Sequence, residues 1–467
     1  MNYLDDAYKT WMRMAPLRQA RRRCKSFAYG RQWGDPASDA DHGTEADEAL
    51  AEGHRPLTNN MIRQLVKCVI GTFRQRTGGR EKAADFNQLG ELDARMLEEF
   101  LISGCAIQRV APQARPGGRG VWVDNVNPDC FFVNDFRDPR GCDIRLIGML
   151  HSMTEAELAL RFGADAAAMR TIRRMMMRTD SPGSGRFAPM SAMSMAGAAG
   201  ADDGRGDSPV SFFEAPAGMH RVIELWTLER VEALRCHDPL TAELFLVPTA
   251  ESGSIRVLNN RRVAADLEPL AYRAAHTMRW RCRWLTPAGD EIAAYYSPYR
   301  HCTHPFVVKF YPLIDGEVHS LVEDIIDQQW HINRLMTLID HILSVSAKGA
   351  LLFPTEAKPS DLSWREVAER WAKCGAVIPY DSRRCQAAPT QIVTAGENST
   401  AFQLLDLNMR LFQQISGVSE ALQGQMPSAA TSAALYESQI QTSTNALRDL
   451  LDAFDSFRSL RELKRNQ

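Results

Sequence analysis

The chain has 467 residues, a formal net charge of −2, 45% hydrophobic and 24% charged residues, which is the composition of an ordinary globular protein with room for about two to four domains. The charge argues against a surface that grips nucleic acid everywhere, because phosphate contacts supply most non-specific affinity. No window of about 18 apolar residues exists for a membrane span, and the ten cysteines show no C-x-x-C spacing, which argues against a zinc ribbon or thioredoxin-like site and fits reduced, packed thiols.

The opening Met1–Asp6 has no basic or apolar run, so no signal peptide is expected. Residues 1–33 read as helical and cationic, with Arg18, Arg21, Arg22, Arg23 and Lys25 close together. A solvated helix face explains such a run; contact with nucleic acid or an acidic partner is the alternative. Residues 34–55 read as an acidic loop with Asp35, Asp39, Asp41, Glu45, Asp47, Glu48 and Glu52. Pro56 opens a helix in which Leu57, Met61, Leu65, Val66, Val69, Ile70 and Phe73 recur at helical spacing, and Gly78-Gly79 ends it. A second helix covers 86–104. Ile107–Val110 and Val121–Val126 pair as strands about the Gly/Pro loop 112–120. Asn127–Asn134 is extended, and Ile144–Leu150 is a further strand. Thr154-Glu155-Ala156-Glu157 caps a helix over about 155–178. Residues 180–218, rich in Ser, Gly, Ala, Met and Pro, read as a flexible insertion that buries little. Its Arg205-Gly206-Asp207 is too common a triplet to signal adhesion.

Residues 219–312 read as β-rich. Arg279-Trp280-Arg281-Cys282-Arg283-Trp284 alternates, so a strand puts Arg279, Arg281 and Arg283 on one face and the tryptophans with Cys282 on the other. An ordinary half-buried sheet explains this; an arginine row facing a partner or a DNA path is the alternative. Residues 321–343 form a long helix, roughly 35 Å at 1.5 Å per residue. Val322, Ile325, Gln329, Ile332, Met336, Ile339 and Leu343 make a coiled-coil-like seam. With no obvious partner helix nearby in the chain, that seam suggests packing against copies of itself. Lys348–Pro354 and Ala376–Pro379 read as short strands around a helix at 363–373, and 399–416 and 432–464 as further helices. Between the last two lies 417–432, small and polar. It is longer than the usual helix–helix connection of about 2–8 residues, which suggests a surface that something slides past.

The sequence holds no G-x-x-x-x-G-K-[ST] loop, no G-x-S-x-G elbow and no H-E-x-x-H. Asp327/His331 and His301/His304 lack a third ligand at a recognisable spacing. No cofactor, no metal and no enzymatic activity are expected. The competing reading is a nucleic-acid-processing enzyme or monomeric adaptor with an unrecognised site.

Four segments stand out together: Arg55–Leu65, Asn127–Phe132 through Asp138-Pro139, Leu321–Arg334, and Gly417–Ser432 followed by a helix with Gln439 and Gln441. In their order and spacing they resemble portal proteins of short-tailed double-stranded DNA phages. The resemblance implies an α+β, helix-dominated portal fold. Its regions would be a wing (1–154), a first stem helix with the insertion (155–218), a clip (219–312), a second stem helix (313–345), the rest of the wing (346–416), a tunnel loop (417–432) and a long C-terminal helix (433–467) with a short or absent crown. It implies a ring, a dodecamer, at one capsid vertex of the virion, made in the bacterial host cytoplasm. Double-stranded DNA would pass through it, with the terminase large subunit, tail adaptor proteins, and major capsid and scaffolding proteins as partners. Gln423, Gly424, Gln425, Ser428, Ala429, Ala430, Thr431 and Ser432 would face the channel, the 322–343 seam would pack subunits, and the three arginines are clip candidates.

Overall fold

The computed structural model describes residues 2–36, 43–51, 55–77, 86–115, 118–179, 210–346, 350–372, 378–381, 383, 388–392, 398–418 and 445–466. In chain order these form α1 (Tyr3–Arg13), α2 (Ala15–Ala28), α3 (Glu45–Ala51), α4 (Met61–Thr77), α5 (Leu89–Ser103), β1 (Cys105–Arg115), β2 (Gly118–Asn125), β3 (Phe131–Val133), β4 (Leu146–Met153), α6 (Glu155–Phe162) and α7 (Ala166–Thr179). There follow β5 (His220–His237), β6 (Leu244–Pro248), α8 (Ser252–Ala264), β7 (Ala271–Leu285), β8 (Glu291–Tyr296), β9 (Phe306–Phe310), β10 (Pro312–Ile314) and β11 (Glu317–Val318). Last come α9 (Ile326–Ser346), β12 (Ala350–Leu352), α10 (Trp364–Ala372), β13 (Thr390–Ile392), α11 (Asn398–Ser416) and α12 (Arg448–Asn466). Helix and strand are mixed, 48% and 24%, in keeping with an α+β chain.

The chain divides into two compact units: Met1–Arg21 with Arg74–Ser320 and Leu450–Gln467, and Arg22–Phe73 with Leu321–Asp449. The first unit is built on two larger sheets, beside the small pair β10-β11. One is six-stranded, β3-β4-β5-β7-β8 with β6 added to β5; the other is β2-β1-β9. All pairings are antiparallel. Phe131, Phe132, Phe212, Trp226, Trp284 and Phe306 are buried at the centre of its core. Burying aromatic side chains of this size is the main apolar driving force here, about 1.5–3 kcal/mol each. Phe212 belongs to the range 180–218 expected to bury little; residues 180–209 of that range lie outside the described residues.

Local chemistry explains where elements depart from expectation. The expected helix over 155–178 is two. Gly163 N–H closes α6 on Ala159 O at 2.8 Å, and Asp165 then accepts from Ala167 N at 2.8 Å and starts α7. The Thr154/Glu157 capping box forms in both directions. The expected loop 112–120 is largely hairpin, paired as far as Arg115↔Gly118. Pro112 is tolerated because its missing N–H faces the side on which β9 pairing has already ended at Arg109↔Phe306. Gly104 ends α5 at φ +68°, where an added Cβ would meet Val318 Cγ1 at 2.7 Å and Tyr311 O at 3.0 Å.

The second unit is mostly helical. Its acidic stretch 34–55 contains α3 rather than only a loop. α4 starts at Met61, not Pro56, because Asn60 Oδ1 caps it by accepting from Arg63 N at 3.0 Å. β12 pairs with β13, Thr390–Ile392; of the expected strand 376–379, residues 376 and 377 lie outside the described residues.

Candidate functional site

The β7 alternation is as expected: Trp280, Cys282 and Trp284 are buried on one face and the three arginines stand on the other. That second face is not bare. Arg283 is 3% exposed; it meets Glu229 at 2.6 Å and Glu291 at 3.6 Å, and donates to Thr227 Oγ1 at 2.9 Å and the Tyr3 hydroxyl at 3.1 Å. Its guanidinium also lies 3.7 Å from the Tyr3 ring centroid. Arg279 and Arg281 sit over Tyr296 at 4.9 and 5.5 Å, and Arg281 reaches Glu229 at 3.9 Å. The row is largely neutralised by its own sheet, and Arg279 and Arg281 remain half-buried.

On α9 and the turn before it, Val322, Ile325, Gln329, Ile332 and Ile339 are buried, Met336 is half-buried and Leu343 is 46% exposed. The row is thus largely buried within its own chain from Val322 to Ile339, and α11 packs against α9. The polar positions on the buried face also have a specific task. Gln329 Oε1 accepts from the N–H of Met61 (2.9 Å) and Ile62 (3.3 Å), and its Nε2 donates to Asn59 O at 2.6 Å and Asn333 Oδ1 at 3.0 Å. Asn333 Oδ1 accepts from Asn59 N at 3.0 Å, and Thr337 Oγ1 from Leu57 N at 3.0 Å. Residues 329, 333 and 337 share one helix face. They satisfy N–H groups that a helix start leaves unpaired and hold the approach to α4 extended. Beside them the buried Glu45 carboxylate accepts from Trp330 Nε1 at 2.9 Å and pairs with Arg334 at 3.2 Å.

Sequence reading did not find the charged centre of the first unit. Glu224 is fully buried, 3.3 Å from Arg109, 2.8 Å from His151 Nε2 and 2.9 Å from Trp226 Nε1. Burial alone would raise its carboxyl; Arg109 and His151 hold it well below the usual carboxylate range. Burial lowers His151 against the pull of Glu224, so the pair is a carboxylate beside a neutral imidazole. A second buried pair, Arg461 with Asp93, ties α12 to α5, with Arg458 also on Asp93 at 2.8 Å. Only three-dimensional pairing brings these together, since Asp93 and Arg461 are 368 residues apart.

His301 and His304 are neutral by burial. Burial and the nearby Lys464 push His301 down to about 4 and His304 well below its ordinary value. Lys464 Nζ donates to His304 O at 2.9 Å and Phe306 O at 2.7 Å, and burial lowers it to about 7. Among the described residues no group of three or more His, Cys, Asp or Glu side chains is placed to hold a metal, and no helix is long and apolar enough to cross a membrane. α11 ends at Gly417, φ +67°. The expected channel residues Gln423, Gly424, Gln425, Ser428, Ala429, Ala430, Thr431 and Ser432 lie outside the described residues.

Comparison with curated proteins gives no match. A family model described as Phage P22-like portal protein matches residues 98–461, a span that starts within α5, takes in both sheets, α9 and α11, and ends on the buried Arg461. The chain therefore belongs to the P22-like family of phage portal proteins.

Proposed function

We propose that the chain assembles as a ring, of about twelve copies, at one vertex of the capsid. The ring is a conduit for double-stranded DNA in packaging and ejection, and a docking platform for the terminase large subunit, tail adaptors, and capsid and scaffolding proteins. The family match over 98–461 carries this reading. The near-neutral charge supports it: several simultaneous phosphate contacts bind strongly, so a passive conduit works with few of them. In this reading 417–432 is the tunnel loop, 219–312 the clip with Arg279 and Arg281 at its surface, and the exposed end of α9 at Leu343 the part of the stem row left for subunit packing.

Native mass measurement and ring-resolved electron microscopy of the purified protein test the assembly. A ring is expected, and a stable monomer at high concentration overturns it. Replacing Gln423–Ser432 with a short glycine linker tests the conduit. Assembly should survive while packaging fails or leaks; normal packaging overturns the loop's role.

A further inference from the structure

The far end of the six-stranded sheet is a three-stranded ribbon with two open edges. There β5 pairs with β6 over 233–237 and with β7 over the same residues, while β8 pairing with β7 stops at Arg281↔Tyr296. Asp238 N–H donates to Glu243 O at 2.9 Å, which fixes the phase of the β5–β6 ladder. Alternation then turns the N–H and C=O of Phe245 and Val247 toward β5 and those of Leu244 and Leu246 outward. On β7, Trp280 O accepts from Ser297 N at 2.8 Å on the side away from β5. The backbone groups of Tyr272, Ala274, His276 and Met278 therefore also point outward. Among the described residues no strand covers either edge.

Side chains at these edges are uncovered as well. Leu244 is 59% exposed, Leu246 48%, Tyr272 51% and Met278 52%. The small apolar cluster of Cys236, Ile255 and Leu270 anchors this end, with Arg262 on Asp238 at 2.8 Å and Asn259 on the Leu270 backbone. A long open edge flanked by exposed apolar residues is a template for another strand.

Resting on the ring reading above, we propose that β6 of one copy pairs in parallel with residues 271–279 of β7 in the next. A closed ring needs two different surfaces on each copy, related by rotation, and the two edges lie on opposite sides of one ribbon. β6 and β7 both run antiparallel to β5, so rotation brings them together parallel. Parallel pairing bonds residues whose side chains are on opposite faces. Leu244 and Leu246 share one face, and Tyr272, Ala274, His276 and Met278 share the other, because each strand is in register with β5. Charge agrees. Residues 241–248 carry Glu243 and no cation, whereas 271–279 carry Arg273 and Arg279 and no acid. Two like edges would set like charges against each other; the unlike edges do not.

The test is a cysteine pair in the full chain, L246C with A275C, whose side chains would share a face, with the exposed Cys142 and Cys302 changed to serine. R273C and T277C replace A275C in turn, to cover the stagger. Oxidation should give a ladder of dimers, trimers and higher species on a non-reducing gel. L246C with A274C, on opposite faces, should link at least tenfold less. Dimers from L246C alone would mean that like edges meet and would overturn the proposal. So would the absence of any link at 273, 275 or 277 in particles whose mass shows a ring, which leaves the ring reading standing; a monomeric wild-type protein overturns both. Leu246→Pro removes one outward N–H and should cut assembly at least tenfold, whereas Leu246→Ala, which keeps it, should not. A full ring from the proline variant overturns the edge pairing.

Discussion

The two units solve the same problem, holding long elements in place, by different means. The first buries aromatic side chains between sheets and embeds complete charge groups among them: Glu224 with Arg109 and His151, Asp93 with Arg461. The second, besides its buried Glu45 with Arg334, relies on neutral side chains to satisfy backbone. Gln329, Asn333 and Thr337 take the amides of Leu57, Asn59, Met61 and Ile62, and α11 leaves Phe402, Leu404, Leu407 and Ile415 exposed. A buried ion group is costly to break, because what remains is an unpaired charge. A neutral amide grip fails more gently, with loss of local order. The first unit should therefore respond to substitution in an all-or-none way, and the second locally.

The largest expected effect is at Glu224. Glu224→Ala leaves Arg109 buried without its carboxylate, and should cost about 3–5 kcal/mol, read as a fall in the chemical-denaturation midpoint. A loss under about 1 kcal/mol would show that Arg109 is already compensated and would remove the contrast between the units. Next is Gln329→Ala, which orphans the Met61 and Ile62 amides at about 1–3 kcal/mol. Hydrogen exchange should show faster exchange at those two amides with β4 and β5 unchanged. Gln329→Glu keeps the acceptor but sets a carboxylate oxygen against Asn59 O and Asn333 Oδ1, so it should restore only part of the protection. If the β4 and β5 amides also speed up, the second unit does not yield locally.

Acid sharpens the contrast. The histidines with lowered values, His151, His301 and His304, all lie in the first unit. Folded, they stay neutral; unfolded, they take up protons below about 6.5. The unfolded state then binds more protons, so stability falls as pH drops from about 6.5, through about 4 for His301. Glu224, held low when folded, adds to the loss below the ordinary carboxylate value. Tm should decline across this window, less steeply in His304→Asn, where an amide oxygen can still accept from Phe306 N (3.3 Å in the present contact). Equal slopes would take His304 out of the account.

Much of this was legible in sequence, for stated reasons. The β7 alternation and the Thr154 capping box depend on neighbours in the chain, and both appear as read. The family resemblance, carried by segments from about 55 to 450, agrees with the match over 98–461. What could not be read depends on residues far apart. Arg283 looked like a surface charge until Tyr3 and Glu229 closed over it. The 322–343 row showed no partner helix nearby because α11, which packs against α9, lies more than fifty residues downstream. Arg18 and Arg21, read as a solvated run, are buried: Arg18 stacks 3.8 Å over Trp11, and Arg21 pairs with Glu99 and Asp129 at 2.6 and 3.0 Å. Periodicity shows which face is apolar, but not whether the cover comes from the same chain or another copy.

That last ambiguity sets the smallest and most specific prediction. Leu343 is the one member of the stem row that stands 46% exposed, one helical turn along from Ile339 at 7%. Leu343→Ser removes little buried surface from the chain itself, so its effect on stability should stay within about 0.5 kcal/mol. If the row continues into a contact between copies, the same change should lower the fraction of protein found in rings at low concentration, measured by native mass. Ile339→Ser should do the opposite, costing stability first because its cover is internal. Should Leu343→Ser leave ring formation untouched at every concentration, the seam is wholly internal, and subunit packing must rest on other surfaces, the open strand edges first among them.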